Sequence, residues 1–421
     1  MAKAFNTTKV LKLTAALAVM LSLVDYFVFG ISLPYRGYKS DFAWYYYGAK
    51  VSARGGDIYD SGVLREAARA AGEPEDLIEH GFRFTYPPFF AIIMRPFLLI
   101  SHAQAYILWL FINHCLYVLA IILCVAALRE RVGFFEVAAI AFCALNFNPV
   151  FRNFLLGQIN VVTFLSLAAA LYAFKRKAEG SAGALLGLAA MIKVLPALFV
   201  LYFFYKRRWK VVIWATLTLI VLLGVSVALL GIRPHQAYIL RVMPDLARGR
   251  GTASNQSLAG FFNRLFGYDF EGEPIFHNAN LAHILSQAGA LFFLLLSFLI
   301  ARGPSQNDHS TWNLEFSLFV LTAHIISPIS WEFHLVWLML PVITLIHFLF
   351  ARGDFVSLPT VFLFLFLIAY IILAWKFPLH HLALRSRGLM MFISLKLYAM
   401  ILLWALLGWV IRSLKRKEGS L

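Results

Sequence analysis

Long apolar runs dominate the sequence, and short polar or basic segments separate them. The runs over 13–33, 103–128 and 211–230 are long enough to cross a bilayer as helices, since about 20 apolar residues span the hydrocarbon core. Similar runs recur to the end of the chain. The pattern therefore predicts an all-α polytopic integral membrane protein with about ten transmembrane helices, within a range of nine to twelve.

The basic residues that flank these runs indicate how the chain is oriented in the membrane. Lys3, Lys9 and Lys12 precede the first run, and a group of Lys and Arg residues at 412–417 follows the last one. Because cytoplasmic segments carry an excess of Lys and Arg, both termini are predicted to be cytoplasmic. We interpret the first run as a span and not as a signal peptide, since no small-residue cleavage site follows it. We expect a multi-pass protein of the cell inner (plasma) membrane.

Two long polar segments are predicted on the extracytoplasmic side of a single membrane domain, 1–421. The first is 34–102, with interfacial helices and the residue that could be catalytic, and the second is 232–280. Within the first segment, the apolar part 85–100 contains three prolines. Prolines break the backbone hydrogen bonding of a helix, so this part suits a surface-lying or re-entrant segment better than a straight span.

The apolar segment 182–205 has basic clusters at both of its ends. A single span would place one cluster outside, against the preference of Lys and Arg for the cytoplasm. The sequence KVLP at 193–196 also interrupts the segment, because proline removes a backbone hydrogen bond. We predict a re-entrant hairpin with both ends cytoplasmic. Lys193 would either meet an anion inside the membrane or extend to the interface, and the sequence leaves both possibilities open.

Composition and charge support this interpretation and exclude several classes of protein. Of the 421 residues, 61% are hydrophobic and 14% are charged, which is unlike a soluble globular domain. Much of the excess behind the net charge of +16 lies in short clusters beside the apolar runs, whereas nucleic-acid binding requires a continuous basic face. The sequence has no phosphate-loop, GxGxxG, HExxH or DxD motif. We therefore expect no cofactor, no metal and no nucleotide-sugar donor held through a metal.

The most distinctive polar stretch, 40–59, follows the first apolar run. On a helix, Trp44 and Tyr45 would share one face with Asp41. One carboxylate would then lie on an aromatic face beside the membrane, where rings can pack against a sugar and the carboxylate can take a proton from a hydroxyl. The alternative is an interfacial helix with an aromatic belt, which Asp41 merely caps.

Other polar groups gather in segments that are also predicted to lie outside. The NQS segment at 255–257 follows Arg250 and offers amides for sugar hydroxyls and a guanidinium for phosphate, or it is an ordinary polar loop. The SPISWEFH turn at 327–334 has the Ser and Pro of a capping turn, which does not explain its Trp, Glu and His together. His381 and Arg385 belong to a basic loop that could hold a lipid phosphate or contact anionic head groups.

Six segments occur in an order that resembles one family of membrane enzymes: DFAWYYYGAKVSARGGDIY (41–59), FTYPPFFAIIMRPF (84–97), GQIN (157–160), KVLP (193–196), NQS (255–257) and SPISWEFH (327–334). Over about residues 36–345 the chain resembles glycosyltransferase family 87, a group of polyprenyl-phosphate-sugar-dependent transferases of the GT-C superfamily. The resemblance implies a GT-C-type helical bundle and gives Asp41 the role of catalytic base. In the family, two adjacent histidines commonly follow SPISW. Here Phe333 takes the first place, so His334 is the imidazole that is carried over.

The resemblance implies transfer of a hexose or pentose, with mannose as the first choice, from a polyprenyl-phosphate sugar to a lipid- or glycan-linked acceptor on the extracytoplasmic face. Asp41 would deprotonate the acceptor hydroxyl, which attacks the anomeric carbon with inversion. The expected partners are this donor, a glycan or glycolipid acceptor and membrane lipid, with no nucleic acid. A multispan transporter or flippase of a lipid-linked or anionic substrate, and a ligase for a preassembled lipid-linked glycan, remain alternatives.

The candidate site residues besides Asp41 form two groups. Donor-phosphate binding is assigned to Lys193, Arg250, His334, His381 and Arg385. Substrate contacts are assigned to Trp44, Tyr45, Tyr86, Gln158, Asn160, Asn255, Gln256, Trp331 and Glu332.

Overall fold

The structure, a computed structural model, describes residues 2–36, 41–79, 83–128, 132–267, 274–303, 309–351, 360–377 and 390–418. Within these ranges the chain is built from helices and contains no strand beyond one isolated bridge between Asn255 and Trp331. The predicted all-α fold is confirmed. The chain divides into two compact units: Met1–Leu33, Ile121–Arg152 and Arg250–Leu421 form the first, and Pro34–Ala120 and Asn153–Gly249 form the second.

The helices follow one another with short connections. Up to residue 205 they are α1 (Ala2–Asp25), α2 (Leu33–Arg36), α3 (Phe42–Ala53), α4 (Ser61–Arg69), α5 (Glu75–Glu79), α6 (Pro88–Met94), α7 (His102–Ala127), α8 (Phe134–Leu145), α9 (Asn148–Leu155), α10 (Asn160–Lys175), α11 (Glu179–Ile192) and α12 (Ala197–Tyr205). The rest are α13 (Trp209–Leu230), α14 (Arg233–Ala237), α15 (Met243–Ala247), α16 (Leu258–Phe266), α17 (Ala279–Ile300), α18 (His309–Ile326), α19 (Met339–Ala351), α20 (Thr360–Ala374), α21 (Met390–Ile393) and α22 (Leu395–Glu418). Two π-helical segments, Tyr26–Ser32 and Tyr238–Val242, and two 3-10 helices, Arg95–Leu99 and Glu332–Leu338, adjoin these α-helices.

Six helices in the described ranges are long and apolar enough to cross a membrane: Thr7–Arg36, His102–Ala127, Trp209–Leu230, Ala279–Ile300, Glu332–Ala351 and Leu395–Arg416. A seventh span results if α8 and α9, which are bent by 42°, are counted as one broken helix. The prediction of about ten spans also counted runs that fold as shorter helices, such as α10 and α20. Because α10 has 16 residues, it is only about 24 Å long, less than the hydrocarbon core of about 30 Å.

The long helices differ in how much of their surface other helices cover. Trp209–Leu230 and Ala279–Ile300 expose apolar side chains along their lengths, as Ile213 and Ile284 show. Large exposed apolar surfaces of this kind are typical of helices that contact lipid. The span Glu332–Ala351, in contrast, is almost completely buried, so other parts of the protein cover it and not lipid.

The first unit is held together by α18, which packs against α17, α19 and α22. Helix α8 packs against α1 and α19, and there Glu136 forms a buried pair with Nδ1 of His347 at 2.7 Å. Lys415 of α22 pairs with the fully buried carboxylate of Glu315 at 2.7 Å. Both carboxylates thus have a hydrogen-bond or ion-pair partner on a neighbouring helix, which offsets the cost of removing them from water.

In the second unit, α11 packs closely against α13 because two glycines face that helix. A Cβ atom on Gly183 would lie 2.2 Å from the carbonyl oxygen of Val211, and one on Gly187 would lie 2.5 Å from that of Ala215. Small residues four apart allow helix backbones to approach in this way in membranes. The predicted break at 193–196 separates α11 from α12. The cytoplasmic location of both ends of this segment stays a prediction.

Helix α3 forms a layer with α4 and α6. The predicted irregular segment 85–100 folds as α6 and the 3-10 helix Arg95–Leu99, not as one long helix. Gly48 of α3 is pressed against the ring of Phe84, whose Cδ2 would lie 2.5 Å from a Cβ atom. This close contact fixes α3 against the chain that leads into α6.

Candidate active site

Asp41 lies immediately before the first residue of α3, at the position where a capping residue is expected. Its backbone carbonyl accepts from the N–H of Trp44 at 3.0 Å, but its carboxylate makes no capping hydrogen bond. Instead, Nε2 of Gln158 donates to Oδ2 of Asp41. The side chain of Asp41 therefore does not cap α3, whereas the interfacial position of this helix stays a prediction.

Gln158 reaches Asp41 because the preceding residue is a glycine. Gly157 adopts a φ of +62°, and a Cβ atom there would lie 2.8 Å from Cβ of Phe42. Only glycine combines this backbone conformation with so close an approach. The indole N–H of Trp109 donates to the Gly157 carbonyl at 2.7 Å and holds the turn in place. The GQIN segment is thus a tight turn packed on the first residues of α3.

Two tyrosine hydroxyls fix the orientation of the Gln158 amide. Oε1 of Gln158 lies 2.8 Å from the Tyr45 hydroxyl and 3.1 Å from the Tyr86 hydroxyl, and the two hydroxyls lie 2.9 Å apart. A hydroxyl can donate to Oε1 but not to the amide nitrogen, so Nε2 is directed toward the carboxylate. The two tyrosines therefore act on Asp41 through Gln158.

Both tyrosines are buried, and this keeps their protons in place. Burial raises the pKa of Tyr45 well above its usual value, and the neighbouring Tyr86 and Asp41 add to the shift. Burial likewise raises the pKa of Tyr86, although its hydrogen bond with Tyr45 acts in the opposite direction. At neutral pH both groups are hydroxyl donors and neither is a candidate base.

The hydrogen-bonded chain extends from Gln158 to Lys193. Asn153 donates to the backbone carbonyl of Gln158 at 3.2 Å, and Asn160 donates to Oδ1 of Asn153 at 3.2 Å. The ammonium of Lys193 then donates to Oδ1 of Asn160 at 2.7 Å. We call this set the Asp41 network; its members are Asp41, Tyr45, Tyr86, Asn153, Gln158, Asn160 and Lys193.

The Asp41 network combines a half-buried carboxylate with the amino group of Lys193 inside one unit of a membrane protein. Asn153 and Asn160 are fully buried, and Lys193 sits at the break between α11 and α12. A carboxylate that accepts hydrogen bonds can take a proton from a hydroxyl, while an ammonium can stabilise negative charge that develops on a leaving group. The arrangement therefore suits the activation of a hydroxyl in the presence of an anion.

The NQS segment has a different environment, in the first unit. Asn255 is fully buried: its Nδ2 donates to the carbonyls of Arg250 and Pro328, and its Oδ1 accepts from Ser257 and from the N–H of Ser330. Gln256 is also buried, and its amide donates to the carbonyls of Ala253 and Ile393 and accepts from the N–H of Lys396. Amides used in this way hold loops together. The geometry favours a structural role for both residues over the predicted contact with substrate.

Glu332 is surrounded by donors from the first unit. Its Oε1 accepts from Lys396 at 2.5 Å and from Asn148 at 2.7 Å, and Arg152 lies 3.9 Å from Oε2. Lys396 is almost fully buried, whereas the carboxylate of Glu332 is partly exposed. Two cations and one carboxylate leave this cluster with a net positive charge.

The remaining candidates lie near these two clusters or outside the described ranges. Trp44 is half-buried at the start of α3. Next to Glu332, Nε1 of Trp331 is buried and has no hydrogen-bond partner among the described residues, so a ligand could accept from it. His334 is buried, with the rings of Trp331 and Phe333 beside it. His381 and Arg385 lie outside the described residues.

Sequence reasoning missed three buried polar residues that organise these clusters: Asn153, Arg264 and Lys396. Arg264 donates to the carbonyls of Thr252 and Asn255 and so holds the NQS segment. Burial lowers the pKa of Arg264 to about 10, which leaves it charged at neutral pH. Lys396 could have been found by the signal used for Lys193, namely a charge inside an apolar run. Nothing in the local sequence distinguishes Asn153.

Within the described part of the chain, no group of three or more His, Cys, Asp or Glu residues could hold a metal ion. The absence of a metal and of a cofactor stays a prediction from the sequence.

The fold and these clusters define a polytopic all-α membrane protein with an ionisable network at one end of a short buried helix. More specifically, the chain belongs to glycosyltransferase family 87, whose model matches residues 84–328. The matched region contains Gln158, Asn160 and Lys193, whereas Asp41 precedes it.

Similar proteins support this membership. The chain is 32% identical over 271 residues to a polyprenol-phosphate-mannose-dependent alpha-(1-2)-phosphatidylinositol pentamannoside mannosyltransferase of Mycolicibacterium smegmatis, covering 63% of this chain and 61% of that protein. It is 29% identical to the protein of the same name in Mycobacterium tuberculosis, covering 61% and 56% of the two chains. The chain thus spans less than two thirds of the length of these two relatives.

A third relative is matched over a longer region. It is a polyprenol-phosphate-mannose-dependent alpha-(1-2)-phosphatidylinositol mannoside mannosyltransferase of Mycobacterium tuberculosis, 27% identical over 357 residues, covering 81% of this chain and 76% of that protein. No solved structure gives a significant match to this chain.

Proposed function

We propose that this protein is a membrane mannosyltransferase that takes its sugar from a polyprenyl-phosphate donor and transfers it to a glycolipid acceptor. The observation that carries the proposal is the Asp41 network, in which an oriented carboxylate and an ammonium belong to one hydrogen-bonded chain. Family membership and the names of the relatives support the donor and the acceptor class.

In the proposed reaction, Asp41 takes the proton of the acceptor hydroxyl as the hydroxyl oxygen attacks the anomeric carbon of the donor. The bond between that carbon and the phosphate oxygen breaks, and its electron pair leaves with the polyprenyl phosphate. Attack opposite the leaving group inverts the anomeric configuration. General-base assistance of this kind is typically worth about 100- to 10,000-fold in rate.

Lys193 is our first candidate for stabilising the departing phosphate. Its ammonium is bonded to Asn160 in the same network as Asp41, so a cation and the base belong to one framework. Electrostatic stabilisation of a developing anion is often the largest contribution of an enzyme site. Arg250, His334, His381 and Arg385 are proposed as further phosphate contacts from the sequence alone.

Asp41 lies in the segment that the charge pattern assigns to the extracytoplasmic side, and we propose that transfer occurs there. In this proposal both termini are cytoplasmic and the protein resides in the cell inner (plasma) membrane. A lipid-linked donor suits such a site, because a polyprenyl carrier stays in the membrane beside it.

The donor class can be tested with the purified protein in lipid nanodiscs. Radiolabelled polyprenyl-phosphate mannose and radiolabelled nucleotide-linked mannose are offered separately, with phosphatidylinositol mannosides as acceptors. We expect label in the glycolipid fraction only from the polyprenyl donor, and a product of inverted configuration. Transfer from the nucleotide donor alone would contradict the proposal. Movement of the polyprenyl donor across vesicle membranes without any transfer would instead support the transporter alternative.

A further inference from the structure

The second unit contains a cavity of about 640 Å³. None of its lining residues belongs to the Asp41 network. It lies between the turn at Gly55 and Gly56, which follows α3, and the residues that link α13 to α14. Cavities of roughly 300–1,000 Å³ are the usual size of small-ligand sites. The cavity therefore has room for a lipid headgroup.

The charges that line this cavity favour an anion. Arg241 is paired with the carboxylate of Asp57 at 2.9 Å, and Arg233 makes no side-chain hydrogen bond or ion pair with a residue that the structure describes. Two guanidiniums against one carboxylate leave a net positive charge. Arginine matches the geometry of phosphate through two parallel hydrogen bonds, which makes phosphate the anion of choice.

The apolar part of the lining connects the cavity with the membrane. Leu230, the last residue of the candidate span Trp209–Leu230, lines it together with Ile232. Ile239 and Leu240, on the adjoining π-helical segment, are 59% and 72% exposed. Exposed aliphatic side chains beside arginines are typical of a helix in the interfacial region of a bilayer. The ligand should accordingly carry acyl chains as well as a negative headgroup.

We infer that this cavity binds the phosphodiester headgroup of an anionic lipid and, if the proposed mannosyl transfer is correct, that this lipid is the glycosylated acceptor. Asp41 and the cavity lie at opposite ends of α3, whose 12 residues extend about 18 Å. A hydroxyl next to the phosphate could not reach Asp41 over this distance. The acceptor is therefore a phospholipid whose headgroup carries several sugars, with the phosphate bound by Arg233 and Arg241.

The binding arm of the test does not depend on catalysis. The full-length protein is exposed to phosphatidylinositol, which has a net negative phosphodiester, and to phosphatidylcholine, which is neutral overall, and retained lipid is measured by native mass spectrometry. We expect phosphatidylinositol to be retained by the wild type and its retention to fall at least about tenfold in the double variant Arg233→Ala/Arg241→Ala. Arg69→Ala is the matched control, because Arg69 is also exposed and paired with a carboxylate, Glu75, but does not line the cavity.

The kinetic arm tests whether the bound lipid is the acceptor. We expect the double variant to raise the KM for a phosphatidylinositol mannoside at least about tenfold, with kcat, the donor KM and the KM for a phosphate-free alkyl oligomannoside unchanged. Undiminished retention of phosphatidylinositol in the double variant would overturn the site. Reduced retention with an unchanged KM would keep the lipid site and overturn its role in acceptor binding. If the wild type transfers no mannose, the proposed function fails, and the binding arm still decides whether the cavity holds anionic lipid.

Discussion

At the scale of single residues, the proposed chemistry depends on which atom of Gln158 faces Asp41. The hydroxyls of Tyr45 and Tyr86 approach its Oε1, so its Nε2 donates to the carboxylate. If the hydroxyl contacts were lost, the amide could turn and present its oxygen to Asp41, which would repel the carboxylate. The tyrosines should therefore influence the rate of reaction without contacting the substrate.

This role predicts different effects for two adjacent tyrosines. Tyr45→Phe should lower kcat about tenfold, because it removes the hydroxyl that lies closest to Gln158. Tyr46→Phe removes a hydroxyl that donates to the carbonyl of Ile100, outside the network, and should leave kcat near the wild-type value. Steady-state kinetics of the two variants provide the measurement. Equal losses of kcat in both would show that Tyr45 is needed only for packing.

A second residue-scale feature is the pair of Lys396 and Glu332. Lys396 is almost fully buried, and its ammonium also donates to the carbonyl of Leu373 at 2.8 Å. Loss of Lys396 leaves the partly exposed Glu332 carboxylate with the more distant Arg152 as its remaining cation, so the cost should lie below the about 3–5 kcal/mol that is typical of breaking a fully buried pair. Loss of both members should cost less, because the carboxylate that required a cation is then absent.

We therefore predict that Lys396→Met lowers the thermal unfolding midpoint. The double variant Lys396→Met/Glu332→Gln should recover part of this loss, since the neutral amide no longer requires a cation. The measurement is a double-mutant cycle. The thermal unfolding midpoints of the wild type, the two single variants and the double variant are compared in one detergent, and Glu332→Gln is the second single variant. Strictly additive effects would mean that the contact between Lys396 and Glu332 contributes nothing to stability.

At the scale of helices, the contact between α11 and α13 depends on Gly183 and Gly187. A Cβ atom on either residue would meet a backbone carbonyl of α13, which cannot rotate away as a side chain could. The spacing of these glycines was available from the sequence, but the partner helix was not, because spacing does not identify the surface that glycines face.

Gly183→Ala and Gly187→Ala should each destabilise the protein by about 1–3 kcal/mol, because α11 and α13 must move apart. Gly224 of α13 is the matched control, since no described atom beyond its own stretch of helix lies within 4 Å of its Cβ position. Gly224→Ala should be neutral or stabilising, because alanine favours the helix more than glycine does. The measurement is the unfolding midpoint of each of the three variants and of the wild type in one detergent. A destabilising Gly224→Ala with harmless changes at Gly183 and Gly187 would contradict the packing.

Several helical features were predictable from local sequence, whereas their environments were not. The break at 193–196 follows from its proline, and the split of segment 85–100 follows from its three prolines. Helix α3 was predicted with one aromatic face, but the structure buries most of it between α4 and α6. Burial on several sides depends on elements distant in the chain, which periodicity along one helix does not reveal.

At the scale of the whole molecule, the arrangement across the membrane predicts which residues are accessible from each side. Cysteines placed at Ala178 and Lys206 should react with a membrane-impermeant reagent only after the cytoplasmic face is opened, because both adjoin basic clusters. A cysteine at the exposed Glu66 of α4 should react in intact cells. Labelling of one of the first two positions from outside would mean that 182–205 crosses the membrane.

The sequence predicted the parts of the candidate site that lie in distinctive short segments. Asp41, Tyr45, Tyr86, Gln158, Asn160 and Lys193 were all named from the sequence, and the structure joins them in one network. The sequence did not show that the amides of Asn255 and Gln256 hydrogen-bond to the protein's own loops. An amide in a sequence gives no indication of whether its partner is a ligand or a loop. Buried partners such as Asn153 and Arg264 become visible only when distant segments are brought together.

The role of Asp41 as the base is decided by comparing mannosyl transfer by the wild type and Asp41→Asn, with Asp60→Asn as a control. The asparagine keeps the shape of the side chain but cannot take a proton, whereas Asp60 only caps α4. We predict that Asp41→Asn lowers kcat by about 100- to 10,000-fold, while Asp60→Asn leaves it close to the wild-type value. Transfer by a folded Asp41→Asn variant within tenfold of the wild-type rate would show that another group is the base.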